Sequence, residues 1–228
     1  MITTFIFDLD GVITDTAHYH FLAWQKTAQQ LGVSFTEVDN EALKGVSRRG
    51  SLDWILKKGG ITLAEDNIEA LMAEKNADYR EMIGDMQSSD IFPGVTGTLA
   101  VLRERGYNIG LASASKNAEF ILTRLGIRDA FDYVADAAAI PQGKPAPDIF
   151  LDVAQHFSAS PASCIGIEDA VSGVQAIKSA EMFAVGIGSA DVLTQADIIY
   201  PDMLAFDIDE VLVRAGDLPA QQANNSKA

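Results

Sequence analysis

Two short acidic pairs have the residue types and spacing that could do chemistry. Asp8 and Asp10 follow the apolar run 2–7 with one residue between them, and Glu168 and Asp169 follow the apolar run 163–167. Carboxylates this close repel one another unless a cation or a shared proton offsets the charge. A hard, oxygen-binding cation such as Mg²⁺ answers that repulsion and leaves one carboxylate free to act as a nucleophile. The bland alternatives are a solvated acidic turn for the first pair and, for Asp169, a helix N-cap.

Two further groups could serve an anion, and a third could stand beside Asp10. Ser113, Ala114, Ser115, Lys116 and Asn117 follow the apolar run 109–112. Their hydroxyls, with the free N–H groups of a following helix, make an anion site, and Ser115 can be the N-cap of that helix at the same time. Lys144 sits in Gly143-Lys144-Pro145-Ala146-Pro147. Two prolines stiffen that loop and aim the lysine, which is then a point charge for a phosphate or simply a solvated loop residue. Thr16, His20 and Trp24 are spaced to lie one above another on a helix. That puts His20 near the end closest to Asp10, unless it is only a surface histidine.

The elements that must position these groups are legible in outline. Ala17, Phe21, Trp24, Ala28 and Leu31 recur at helical spacing over 14–32, with Asp15 as cap and Gly32 as stop. The pattern stays helical over 37–84: Leu52, Ile55 and Leu56 mark one helix, with Ser47 or Ser51 near its start and Gly59-Gly60 breaking it. Ile68, Leu71, Met72, Lys75 and Tyr79 mark another. Residues 15–85 therefore read as an all-helical cap inserted after the first strand, with hinges near 10–15 and 84–93, and 1–14 with 86–228 as the core. From 92 onward, strands over 108–112, 133–135, 163–167, 182–187 and 198–200 alternate with helices over 98–105, 116–125, 147–157 and 170–180. That alternation predicts an α/β core with a parallel sheet covered on both faces. Open sheets of this kind place their chemistry at the carboxyl ends of the strands, where Asp8 falls. The polar stretch after Leu218 is expected to be disordered.

Composition narrows the function. The chain has 228 residues and a net charge of −15, with a pI near 4.4. That argues against nucleic acid and against an anionic membrane surface as partners. A phosphate ligand would need a local field reversed by metal and a few placed Lys and Arg. Cys164, the only cysteine, reads as a buried thiol; no disulfide can form within the chain, which fits a reducing compartment. No signal-like segment and no apolar run approaching ~20 residues is present, so a soluble cytoplasmic protein is expected.

Together, the Asp8-x-Asp10 strand end, the hydroxyls after the second core strand, the loop lysine and the later acidic pair resemble the haloacid dehalogenase superfamily. The resemblance implies a Rossmann-like core and Mg²⁺-dependent phosphoryl transfer through an aspartyl phosphate. Residues 7–16, 43–48, 111–117 and 144–148 are similar in particular to the sugar-phosphate mutases of that superfamily. Leu43-Lys44-Gly45-Val46-Ser47-Arg48 is the discriminating stretch, because phosphatases share the core motifs.

By that resemblance Asp8 is the nucleophile and Asp10 the general acid and base. Asp8, Glu168, Asp169 and the Asp10 main-chain carbonyl hold Mg²⁺. Lys144 and Ser113 bind the transferring phosphoryl group; Arg48, Ser115 and Asn117 bind the other phosphate. Gly45 and Val46 line the sugar pocket, and His20 and Lys75 sit between cap and core near Asp10. Thr16, Trp24, Ser51 and Ala114 complete the candidate substrate-binding set. The implied reaction turns β-D-glucose 1-phosphate into glucose 6-phosphate through glucose 1,6-bisphosphate, on a monomer. A phosphatase on the same scaffold, or a non-catalytic sugar-phosphate binder, is the rival expectation.

Overall fold

The computed structural model describes residues 1–217, so the tail after Leu218 lies outside the described residues. Six strands form one parallel sheet: β1 (Thr4–Phe7), β2 (Asn108–Leu111), β3 (Tyr133–Val134), β4 (Cys164–Glu168), β5 (Phe183–Ile187) and β6 (Ile198–Tyr200). Their spatial order is β3-β2-β1-β4-β5-β6. β1 therefore lies mid-sheet, with Phe7 level with Leu111 on one side and Ile167 on the other. That register places the residues following all three strands at one edge.

The sheet is apolar on both faces, as a parallel sheet must be when helices cover it. Side chains alternate across β1: Phe5 and Phe7 enter one buried cluster and Ile6 the other. The first cluster is closed by α5 (Val95–Glu104), α6 (Ala118–Leu125) and α9 (Ile208–Arg214). The second is closed by α7 (Asp148–His156) and α8 (Val171–Ser179). Each fully buried Phe or Ile contributes on the order of 2 kcal/mol of transfer free energy to this packing.

Between β1 and α5 run α1 (Ala17–Gln30), α2 (Glu37–Glu41), α3 (Arg48–Gly59) and α4 (Glu65–Met82). They build a third apolar cluster of their own around Trp24, Ala28, Leu52, Ile55 and Ile68. The expected stripe on α1 is only half of its buried surface. Ala23, one residue from Trp24, packs into the sheet-side cluster with Tyr79 and Ile83. α1 and α4 thus join the helical unit to the sheet.

Four local expectations are corrected. Thr16 and not Asp15 is the N-cap of α1. Asn117 and not Ser115 is the N-cap of α6, and Ala170 and not Asp169 is the N-cap of α8. In both cases the chain needs one or two more residues to turn off the strand before helical dihedrals begin. α9 was not expected at all. It is short, but Asp207 caps it by accepting from the Glu210 N–H, and Val211 and Leu212 are buried. No helix among the described residues is long and apolar enough to cross a membrane.

Candidate active site

The two acidic pairs meet because β1 and β4 are neighbours. The Asp8 N–H donates to the Ile167 carbonyl at 2.9 Å, which extends the pairing one residue past β1. Asp8, Glu168 and Asp169 each bring a carboxylate oxygen within 4.8 Å of the others. Lys144 reaches into this group from the loop before α7. Its Nζ lies 2.6 Å from Asp8 Oδ1 and 3.3 Å from Glu168 Oε1, and its side chain is shielded from solvent. It is not a solvated loop lysine. Burial disfavours its charge, but Asp8 and Glu168 outweigh that and hold its pKa above the ordinary lysine value.

One lysine does not balance three carboxylates. Burial, followed by repulsion from Asp8, pushes Glu168 well above the usual carboxylate range and Asp169 up to about 7. Glu168 Oε2 is buried and accepts no hydrogen bond among the described residues. An all-oxygen donor set with residual negative charge and an unsatisfied buried oxygen fits a hard divalent cation such as Mg²⁺. Gly11 keeps the place open: its φ is +80°, and a Cβ there would overlap the Asp169 carboxylate.

The Asp10 carboxylate stands apart from that cluster and faces the cleft. The Thr16 hydroxyl donates to Asp10 Oδ1. Burial, then the Asp8 charge, raises the Asp10 pKa to about 7 despite that hydrogen bond. Asp10 is thus tuned near neutrality, where a group can both give and take a proton.

Asp8 and Asp10 form the floor of a cleft of about 880 Å³, counting space open to solvent. His20 and Trp24 from α1, Gly45, Val46, Arg48 and Ser51 at the start of α3, and Lys75 from α4 line one side. Ala114, Ser115 and Asn117, between β2 and α6, line the other. The structure thus gathers these residues, singled out from the sequence, around one cleft. Thr16, Ser113, Lys144 and Glu168 do not line the cleft but stand behind it. Ser113 is buried, and its hydroxyl accepts from the Ser115 N–H at 3.1 Å.

The far wall is cationic. Arg48 is half-buried, and burial lowers its pKa. Its Nη2 donates to Asn76 Oδ1 at 2.7 Å, and Asn117 Nδ2 donates to the same oxygen at 2.8 Å. Lys75 Nζ sits over the Trp24 and Tyr79 rings, 4.6 and 4.5 Å from their centroids. One cation, Arg48, thus lines the wall of the cleft and another, Lys144, stands buried behind its floor against Asp8, inside a chain of net charge −15.

Sequence reasoning missed Lys44 and Asn76. Lys44 belongs to the stretch already singled out, and its Nζ lies 2.9 Å from Glu41 and 3.9 Å from Asp169. Its main-chain carbonyl accepts from the Ser172 hydroxyl at 3.2 Å, tying the loop before α3 to α8. Asn76 gave no signal beyond its neighbour Lys75.

Known proteins agree with this geometry. A β-phosphoglucomutase from Bacillus subtilis (strain 168) is 48% identical over 196 residues, covering 85% of this chain and 87% of the relative. A fructose-1-phosphate phosphatase from Escherichia coli (strain K12) is 35% identical over 184 residues, covering 80% and 94%. A crystal structure of a β-phosphoglucomutase from Clostridium difficile superposes with a TM-score of 0.93 at 42% identity, over 95% of this chain and 98% of that one. The family model for haloacid dehalogenase-like hydrolases matches residues 2–181. With its parallel sheet, its two acidic strand ends and that match, the chain belongs to the haloacid dehalogenase-like hydrolase family of enzymes.

Proposed function

We propose that this enzyme is a sugar-phosphate mutase that converts β-D-glucose 1-phosphate to glucose 6-phosphate through a phosphorylated Asp8 and β-glucose 1,6-bisphosphate. The observation that carries the reading is one cleft with a cation serving each end: Asp8 at its floor is backed by the buried Lys144, and Arg48 lines its wall. A bisphosphate sugar needs both ends held at once; a phosphatase needs only the end where phosphorus reacts. The 48% identity to the B. subtilis mutase supports the same reading.

Asp8 attacks phosphorus and receives the phosphoryl group. Lys144 and Ser113 take its oxygens, since a carboxylate approaching a phosphate is otherwise repelled. Asp10 protonates the leaving sugar oxygen and later takes the proton from the hydroxyl that attacks the aspartyl phosphate. Thr16 keeps Asp10 aimed. Arg48, Ser115 and Asn117 hold the phosphate that is not transferred, so the bisphosphate can present its other end to Asp8 after reorienting. Gly45, Val46, Trp24, Ser51 and Ala114 shape the space for the sugar, and His20 and Lys75 border it beside Asp10. Asp8, Glu168 and Asp169, with the Asp10 main-chain carbonyl, are the residues that would hold Mg²⁺. When bound, the ion offsets charge on the phosphoryl oxygens.

Residues 15–85 act in this reading as a cap over a core of 1–14 and 86–228. Closing it dries the site and protects the aspartyl phosphate from water, which a mutase requires. The phosphatase relative gives the competing reading on the same scaffold. The test is purified protein with Mg²⁺, β-glucose 1-phosphate and a trace of glucose 1,6-bisphosphate, with both glucose 6-phosphate and free phosphate followed. Glucose 6-phosphate with little free phosphate supports the mutase; free phosphate as the main product makes the enzyme a phosphatase.

A further inference from the structure

Asn76 links three elements at the wall of the cleft. Its side-chain oxygen accepts from Arg48, the first residue of α3, at 2.7 Å and from Asn117, just before α6, at 2.8 Å. Asn76 itself belongs to α4. Two donors from different parts of the chain thus converge on one oxygen beside the cleft that both of them line. Nothing about helix stability calls for an amide here.

We infer that Asn76 is a positioning residue for the remote phosphate: its amide oxygen holds Arg48 and Asn117 aimed at one point, and a phosphate oxygen takes over those two donors when the sugar phosphate enters. The inference rests on the reading of Arg48 and Asn117 as phosphate anchors. The amide suits the task because it holds without neutralising. For the neutral donor Asn117 a bond to a charged phosphate oxygen is roughly twice as strong as one to a neutral carbonyl, and for Arg48 the phosphate adds an ion pair that the amide cannot offer. The exchange therefore runs toward the ligand, and the donors are already oriented when it arrives.

The residue type is informative against its background. α4 carries six acidic side chains, Glu65, Asp66, Glu69, Glu74, Asp78 and Glu81. Three of them serve elsewhere: Glu65 pairs with Arg49, Glu74 accepts from Gln30 and Asp78 pairs with Lys26. A carboxylate at position 76 would pair with Arg48 as an internal salt bridge and compete with any incoming anion. At the position facing Arg48 the helix has an amide instead.

The variants Asn76→Asp, Asn76→Ala and Arg48→Ala in the full chain test this. KM and kcat are measured for β-glucose 1-phosphate, with glucose 1,6-bisphosphate and Mg²⁺ present. p-Nitrophenyl phosphate hydrolysis is the parallel assay, since its single phosphate needs only the Asp8 end. Asn76→Asp, nearly isosteric with the native residue, is expected to raise KM for the sugar phosphate about tenfold or more, mainly in KM and not kcat. Its loss should exceed that of Asn76→Ala, and the loss on the sugar phosphate should exceed the loss on p-nitrophenyl phosphate. A role in packing alone predicts the reverse order, with alanine the worse variant and both substrates hit equally, and would overturn the inference. Arg48→Ala separates the two levels. If it raises KM while Asn76→Asp does not, only the assignment of Asn76 fails. If Arg48→Ala leaves KM unchanged, the anchor reading fails and Asn76 with it.

Discussion

Lys75 Nζ stands 2.9 Å from Nδ1 of His20. Lys75 is 2% exposed, yet no carboxylate pairs with it among the described residues. Trp24 and Tyr79 present ring faces to the amine, which offset part of the solvation it gives up. Burial, then the Arg48 charge, bring its pKa down to about 7. Burial, followed by Lys75 and Arg48, holds His20 well below the imidazole range. While Lys75 is protonated its ammonium can only donate, so His20 Nδ1 accepts in that state. In that state the neutral ring carries its proton on Nε2.

The first prediction follows from that depressed lysine. In the unfolded chain Lys75 titrates near 10.5, and in the folded protein near 7. Between those values the unfolded state binds the extra proton, so the stability of the wild type rises with pH across that window. Below about 7 both states are protonated and the full cost of burying the charge stands. Lys75→Met removes the titration at similar side-chain length. The unfolding free energy of the wild type minus that of the variant, from urea titrations at each pH, should climb from pH 7 to 10. A flat difference over that range would mean that folding does not shift the lysine.

The same pair shows where sequence reading stops. Helical spacing put Thr16, His20 and Trp24 on one face of α1, and Lys75 and Tyr79 on α4, but no spacing says that these two faces meet. The sheet was legible for the opposite reason. A strand buried on both faces writes itself as a short apolar run, and the chemistry falls on the first polar residues after it, as at Asp8, Ser113 and Glu168. Helix starts were less legible, because a cap is defined by the dihedrals of one residue. Ser115 and Asp169 have cap-forming side chains but stand one or two residues too early. Asn76 was invisible because its meaning lies in Arg48 and Asn117, 28 and 41 positions away.

Asp8→Asn tests the nucleophile. Asparagine keeps the shape, and Lys144 keeps Glu168 at 3.3 Å, so the fold should survive. Turnover of β-glucose 1-phosphate should fall on the order of 10³-fold or more, as expected when a covalent nucleophile is lost. Mass spectrometry after exposure to glucose 1,6-bisphosphate should find a phosphoryl adduct on the wild type and none on the variant. Ordinary activity in the variant would sink the aspartyl-phosphate mechanism.

Mg²⁺ and the acidic cluster should be linked through stability as well as rate. A cation that binds only the folded state adds about 2.7 kcal/mol at a hundredfold excess over its Kd. Several degrees of thermal midpoint should therefore separate Mg²⁺-loaded from chelator-treated protein. Asp169→Asn should erase that difference. It should also leave the chelated protein no less stable than the wild type, since it removes a charge that burial and Asp8 already disfavour. A variant that keeps the full Mg²⁺ response would take Asp169 out of the ligand set.

Gly173→Ala should reverse a general rule. Inside a helix, alanine in place of glycine ordinarily gains up to about 1 kcal/mol. Gly97, exposed in α5, has open space where a Cβ would stand, so Gly97→Ala should raise the thermal midpoint. A Cβ on Gly173, in α8, would overlap the Glu168 carboxylate. Glu168 cannot swing clear, because it is fully buried at the end of β4 with Lys144 against its Oε1. The added methyl must displace either the carboxylate or the helix. Gly173→Ala should therefore lower the midpoint in the chelated protein and shrink the further rise that Mg²⁺ brings. Equal gains from both alanines would show that Glu168 has room to move, and the tight seating of that carboxylate would no longer explain the glycine beside it.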